Sequence, residues 1–332
     1  MATINSFVRA ANASYKRSAR IHEKNVRAAA KQQKENLKQL IISENVNAVE
    51  SYEKFIKTLL SVHQECGEQL NWSFIRKEPK PTEPVNHNKN QVKAEITYKA
   101  FKPTFFDKIF KNDKKKLQVL LSNIELAKKA DYDYHQIKLM EYNTDLKDWK
   151  KVQSIADGIS KNDPLAFKNA ITFFDPFSNI SDLGFRLQVN CFTDVVTVDL
   201  HVSSEDIIPN FILSHTSTGK LSNKKMPISK FNELYQDYVC GCVLRVAREL
   251  FALLPINTVQ VSAKANMLNT STGHKEDQTI LSVSYDLAGL KRLNFKTLDC
   301  SDSLANFPHI MKFSKTNGFS PIDQNHKNLR SN

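Results

Sequence analysis

Phe185-Arg186-Leu187-Gln188-Val189-Asn190-Cys191 and, shortly after, Val196-Thr197-Val198-Asp199-Leu200-His201-Val202 alternate apolar and polar side chains residue by residue. A period of two sends successive side chains to opposite faces, so both stretches are predicted as half-buried strands. The same pattern returns where Val259, Val261, Ala263 and Ala265 alternate with Gln260, Ser262 and Lys264, and where Leu281, Val283 and Tyr285 alternate with Ser282 and Ser284. Between the two pairs, Ile228 to Leu254 changes to helical spacing, with Phe231, Leu234, Tyr238, Val239, Cys242, Val246, Leu250, Phe251 and Leu253 forming a broad apolar face. That helix is the natural cover for the apolar side of the sheet. Residues 176–320 are therefore predicted as an α+β domain, an antiparallel sheet covered on one face by a long helix, with residues 321–332 as a polar tail.

Upstream, the chain reads as helical. Asn162-Asp163-Pro164 is a cap followed by proline, the start of a short helix through Ile171. Residues 114 to 160 carry Leu117, Leu120, Leu121, Ile124 and Ala127 on one apolar face and Trp149, Val152, Ala156 and Ile159 on another, which predicts one long helix or two. Pro79, Pro81 and Pro84 lie among Lys, Glu and Asn and mark an extended linker, assigned to residues 76–98. Before it, residues 1–66 contain neither glycine nor proline. Val46, Val49, Ile56 and Leu60 continue a coiled-coil-like seam from Ile42, broken by Glu53, and Cys66-Gly67 is a plausible stop. The expected architecture is a long N-terminal helix over residues 1–75, pairing with a helical region at 99–175 to make a stalk ahead of the α+β domain.

Charge is concentrated at the start. The chain has 332 residues and a net charge of +12, and its first 40 residues hold nine Lys/Arg against two Glu. Arg9, Lys16, Arg17, Arg20, Lys24, Arg27, Lys31, Lys34 and Lys38 occupy most of the circumference of the predicted helix, with a thin apolar stripe of Val8, Ala11, Tyr15 and Ala19. Such a segment suits an acidic partner, and its round-the-helix distribution suits a loose grip on phosphates more than insertion into one groove. No run of about 18 apolar residues suggests a membrane span. The five cysteines, Cys66, Cys191, Cys240, Cys242 and Cys300, lack disulfide or zinc spacing and read as core-filling thiols, so cytoplasmic residence is expected with neither metal nor cofactor.

Chemistry-bearing candidates are sparse. By strand parity, Asp199 and His201 share the polar face of the sheet with Lys264, which allows an acid–base pair beside a cation. The same face is explained more simply as the wet side of an antiparallel sheet. A metal-dependent nuclease would add a Glu two residues before the lysine, where Ser262 stands instead. The segment Ser214 to Ser222 contains Thr-Gly-Lys at 218–220 but lacks the first glycine and the hydroxyl after the lysine that a phosphate loop requires, so Lys220, Lys224 and Lys225 read as a basic hairpin. The hydroxyl-rich loop from Asn269 to His274 reads as a hairpin turn. Arg245 with Glu249, and Arg248 with nearby carboxylates, read as structural ion pairs. Phe101 to Lys116 interleaves phenylalanine with lysine, a packing anchor more than a membrane-interface helix. Together these features point to a non-enzymatic binding protein whose basic helix grips nucleic-acid phosphates without reading bases and whose α+β domain serves as an interaction module. The alternatives are an oligomerising scaffold for a partner protein, and a nuclease or other hydrolase around Asp199, His201 and Lys264.

Overall fold

The computed structural model describes residues 47–103, 112–177, 186–202 and 207–323. The nine predicted nucleic-acid contacts from Arg9 to Lys38 lie outside these residues, as do most of the predicted stalk helix and the segment 104–111. Helices α1 (Ala48–Leu60), α2 (Lys89–Ala100), α3 (Asp113–Ile159) and α4 (Pro164–Phe174) precede strands β1 (Arg186–Cys191), β2 (Val195–His201), β3 (Phe211–His215) and β4 (Leu221–Lys225). Helix α5 (Ile228–Leu253), β5 (Thr258–Leu268), β6 (Lys275–Asp286), β7 (His309–Ser314) and β8 (Gly318–Ser320) complete an α+β fold. The described residues fall into two compact units, one of residues 47–76 with 154–323 and the other Lys77–Gln153.

In the first unit, six strands form a sheet in the order β1-β2-β5-β6-β7-β8, while β3 and β4 pair as a separate hairpin. Every pair in the large sheet is antiparallel except β2 with β5. The exception has a topological cause: the hairpin and α5 intervene between β2 and β5, a connection long enough to bring the chain back in the same direction. Alternation in the sequence settles which face a side chain takes and is silent about strand direction. The inward residues Val196, Val198, Leu200, Val259, Val261, Ala263, Leu281, Val283 and Tyr285 are all buried against the covering layer, to which α5 contributes Leu234, Tyr238, Val239, Val246 and Leu250. Each fully buried Leu or Val contributes about 2 kcal/mol.

The register slips once between β5 and β6. Ala263 faces Leu281 but Lys264 faces Thr279, so Ile280 is an extra residue. Ile280 is fully buried. Beyond this bulge the parity of β6 is reversed, which places Thr279 opposite Lys264 and Asp277 opposite Asn266.

Helix α1 buries Ala48, Val49, Tyr52, Phe55 and Leu59 and packs on α5 and β3. The predicted seam is thus only partly the buried one, since Ile56 and Leu60 remain half-buried. The Tyr52-Phe55-Leu59 arc carries more apolar surface than the seam and takes the core, with Tyr52 and Phe211 rings 6.0 Å apart. The helix stops at Leu60, ahead of the predicted Cys66-Gly67 stop, because the following segment is claimed by α5. Arg248 donates to the His63 carbonyl, Gly67 N donates to Glu249 Oε2 at 3.2 Å, and Arg245 pairs with Glu249 at 2.7 Å. Arg248 also stacks on Phe295, its guanidinium 3.7 Å from the ring centre, in place of the carboxylate pairing expected of it. At the start of α4, Asp163 accepts from Leu165 N at 2.9 Å as its sequence predicts. Gly158 lets α4 approach α3, since a Cβ there would stand 2.5 Å from the Ala166 Cβ. Ile322, assigned by sequence to the polar tail, is buried and its N–H reaches the Thr279 carbonyl at 2.8 Å.

The second unit is a helical hairpin. Trp149 Nε1 donates to the Glu78 carbonyl at 3.1 Å, Asp131 meets Asn90 and Gln91, and Lys128 feels the charge of Glu95. As the chain advances from residue 78 to 95 its partner on α3 recedes from 149 to 128, so the two run antiparallel. The stretch around Pro79, Pro81 and Pro84 is not helical, yet α2 forms within the predicted linker. Its own N-cap, Asn88, makes no side-chain cap, and Asp131 supplies one from α3 by accepting from Gln91 N and Asn90 Nδ2, each at 2.8 Å. These donors, Gln91 N–H first, hold the Asp131 carboxyl below its usual range.

The buried Arg245–Glu249 pair yields the first prediction. Arg245→Met strands a carboxylate at side-chain exposures of 6% and 3% for the pair, and is expected to lower unfolding free energy by about 3 kcal/mol. Arg245→Met with Glu249→Leu is expected to recover much of that loss in a urea titration. A loss within about 1 kcal/mol for the single change would show the pair to be energetically unimportant.

Candidate functional site

The sheet face away from α5 collects the polar residues predicted for it. In register across β1, β2 and β5, Gln188, Asp199 and Ser262 form one row, and Arg186, His201 and Lys264 the next. The structure brings Asp199, His201 and Lys264 together on this face, but not in the predicted pairing. Lys264 Nζ reaches diagonally to Asp199 Oδ2 at 2.8 Å. His201 Nδ1 instead stands 2.9 Å from Asp277 Oδ2, close enough for charge attraction although not aligned as a hydrogen bond. Asn266 Nδ2 donates to Asp277 Oδ1 at 3.2 Å, and Arg186 approaches the same carboxylate at 3.9 Å. The Asn266 bond first, then the charges of His201 and Arg186, hold the Asp277 carboxyl below its usual range.

Sequence reasoning missed Asp277. Counting by twos from Leu281 puts residue 277 on the inner face, and only the bulge at Ile280 turns it outward. The resulting cluster is a closed set of charge pairs. Asp199 is engaged by Lys264, so it does not orient His201 as an acid–base partner. The Ser262 hydroxyl, in register with Asp199, is buried and 3.3 Å from the Ser282 hydroxyl. Among the described residues, no group of three or more His, Cys, Asp or Glu side chains is placed to hold a metal ion.

A second chemical pair lies inside the first unit. Cys300 Sγ is 2.9 Å from His63 Nδ1, and His63 Nε2 is 3.0 Å from the Phe295 carbonyl. Nε2 therefore carries the proton donated to that carbonyl, and Nδ1 accepts from the thiol. The arrangement resembles a nucleophile, base and orienting group, but burial pushes the Cys300 thiol up to about 12 and the imidazole down. Both groups are neutral near pH 7, and the pair packs the core without supplying a thiolate. The 237 residues separating its members leave no sequence signal.

The remaining motifs resolve into local structure. Thr216 to Lys220 closes the β3–β4 hairpin, with Gly219 at φ 78° and Lys220 N donating to Thr216 Oγ1 at 3.0 Å. In the loop after β5, Asn269 Oδ1 accepts from Ser271 N at 2.9 Å and Ser271 Oγ at 2.7 Å, and Gly273 takes φ 73°. Cys240, Cys242 and Cys300 are buried free thiols.

The second unit presents a different kind of surface. From Asp113 to Lys151, Asp131 is the one buried residue of α3. Antiparallel pairing sends the end of α2 and the start of α3 toward the same end of the hairpin, where Lys99, Lys102, Lys114, Lys115 and Lys116 are exposed. Residues 77–153 hold seventeen lysines against eleven carboxylates. No described helix is long and apolar enough to cross a membrane.

Comparison with known protein families, curated proteins and solved structures finds no match to this chain.

The Asp277 cluster gives a pH prediction. Because its folded titration point is depressed, the stability this carboxylate contributes is present above its ordinary value of 3.8 and is lost as pH falls through the lower folded value. Asn266→Ala and His201→Ala are each expected to raise the Asp277 titration, followed by carboxyl carbon NMR. An unchanged titration in both variants would contradict the cluster.

Proposed function

We propose that this chain is a non-enzymatic binding protein that grips nucleic-acid phosphates through lysine and arginine without reading bases. The observation that carries the proposal is segregation of charge. The first 40 residues and the unit Lys77–Gln153 together carry the whole of the positive excess, and the remainder of the chain is close to neutral. In the hairpin, Lys99, Lys102, Lys114, Lys115 and Lys116 stand exposed toward one end, which suits contact with a polyanion along its backbone. The open sheet face is a weaker candidate for either binding or hydrolysis, since its ionic groups already pair with one another and its exposed aromatic is Phe192. Five free thiols fit a reducing, cytosolic setting.

An interaction scaffold is the second reading. It is favoured by Val119, Leu126, Ile137 and Met140, which are 56–68% exposed and fall on one side of α3.

Fluorescence anisotropy of labelled duplex DNA, single-stranded DNA and RNA tests the first reading. The full chain is expected to bind with micromolar or tighter affinity at low salt, weakening by about a thousandfold between 50 and 200 mM salt if six or more phosphates are contacted. Removing residues 1–40 and reversing Lys114, Lys115 and Lys116 to Glu are each expected to weaken binding and flatten the salt dependence. Absence of binding to all three at low salt would overturn the reading and favour the scaffold.

A further inference from the structure

Helix α1, the strand β3 and the start of α5 enclose a groove of about 490 Å³, within the usual range of small-molecule sites. Its walls are Tyr52, Ile56 and Leu60 from α1, Ile212 from β3, Met226 ahead of α5, and Leu234. Tyr52, Met226 and Leu234 are buried, whereas Ile56, Leu60 and Ile212 remain half-buried. These half-buried residues include the part of the α1 seam that the core leaves unused. From Tyr52 to Leu60 the groove follows α1 for about 12 Å at 1.5 Å per residue, so it is elongated along the helix.

The rim is charged and unbalanced. Lys57 and Lys230 stand there with a single carboxylate, Glu53. Lys230 pairs only at 3.9 Å with Glu233 Oε2, while Lys315 holds the other oxygen of that carboxylate at 2.6 Å, so the local balance of charge stays positive. An elongated apolar trough with a net positive rim complements a molecule with an unbranched apolar body and one anionic end. We propose that this groove binds a free straight-chain carboxylate, its alkyl chain lying between α1 and α5 and its carboxylate held by Lys57 and Lys230. This site is independent of the phosphate-gripping surfaces.

Isothermal titration of the full chain with octanoate, decanoate and dodecanoate, below their micelle concentrations, tests the proposal. Saturable binding with one site is expected, tightening on the order of tenfold for each pair of added methylenes until the groove is filled. Dodecanol should bind more weakly than dodecanoate. Lys57→Glu with Lys230→Glu, both surface changes, should weaken dodecanoate at least tenfold, and Ile56→Trp should abolish binding by filling the groove. Circular dichroism melting checks that both variants fold. Lack of saturable binding by all three acids would overturn the proposal, as would affinity unchanged in the charge-reversed and the filled variants. Equal affinity for dodecanol would overturn the role of the lysines.

Discussion

Burial of α5 against the sheet is the constraint on which the rest of the first unit depends. A helix of 26 residues, most of them buried, must reconcile a wide apolar face with Arg245, Arg248 and Glu249, which a fully apolar environment would not tolerate. The structure satisfies them by drawing in the segment after α1. The carbonyls of Val62 and His63 and the amide of Gly67 become partners of α5, and in doing so they end α1 and orient it. The location of α1 then creates the groove beside β3. One polar requirement on the central helix therefore propagates to the shape of a ligand-sized groove between α1 and the start of α5.

On the far face of the sheet, a single inserted residue has the comparable effect. The bulge at Ile280 lets the inner face of β6 remain apolar while delivering Asp277 outward, where it collects His201, Asn266 and Arg186. Mutual neutralisation of these charges gives the face order without leaving a reactive group exposed. The buried Cys300–His63 pair illustrates the same principle in the core, because contact geometry alone does not confer reactivity when burial favours the neutral forms.

Much of the α+β body was legible in the sequence because its signals are local. Alternation marked β1, β2, β5 and β6, the 3.6 period marked α5, and Asp163-Pro164 marked α4. What escaped depends on residues distant in the chain. The parallel pairing of β2 with β5 follows from the crossover, the exposure of Asp277 from the bulge, and the formation of α2 from a cap provided by Asp131, some 40 residues away. Asp199, His201 and Lys264 were correctly placed on one face, yet their pairing was not, because Lys264 satisfies Asp199 diagonally and leaves His201 to a carboxylate that parity had hidden. The predicted contacts from Arg9 to Lys38 lie outside the described residues.

The chain thus combines a neutral, well-packed body with strongly basic segments, and the central functional claim is that the basic segments do the binding. The most direct measurement is amide NMR mapping of the full chain on addition of a short oligonucleotide at low salt. The account predicts perturbations confined to residues 9–38 and to the lysine-rich end of the hairpin between residues 99 and 116, with Asp199, His201 and Lys264 unmoved. Perturbations centred on those three residues, with the basic segments unaffected, would contradict it.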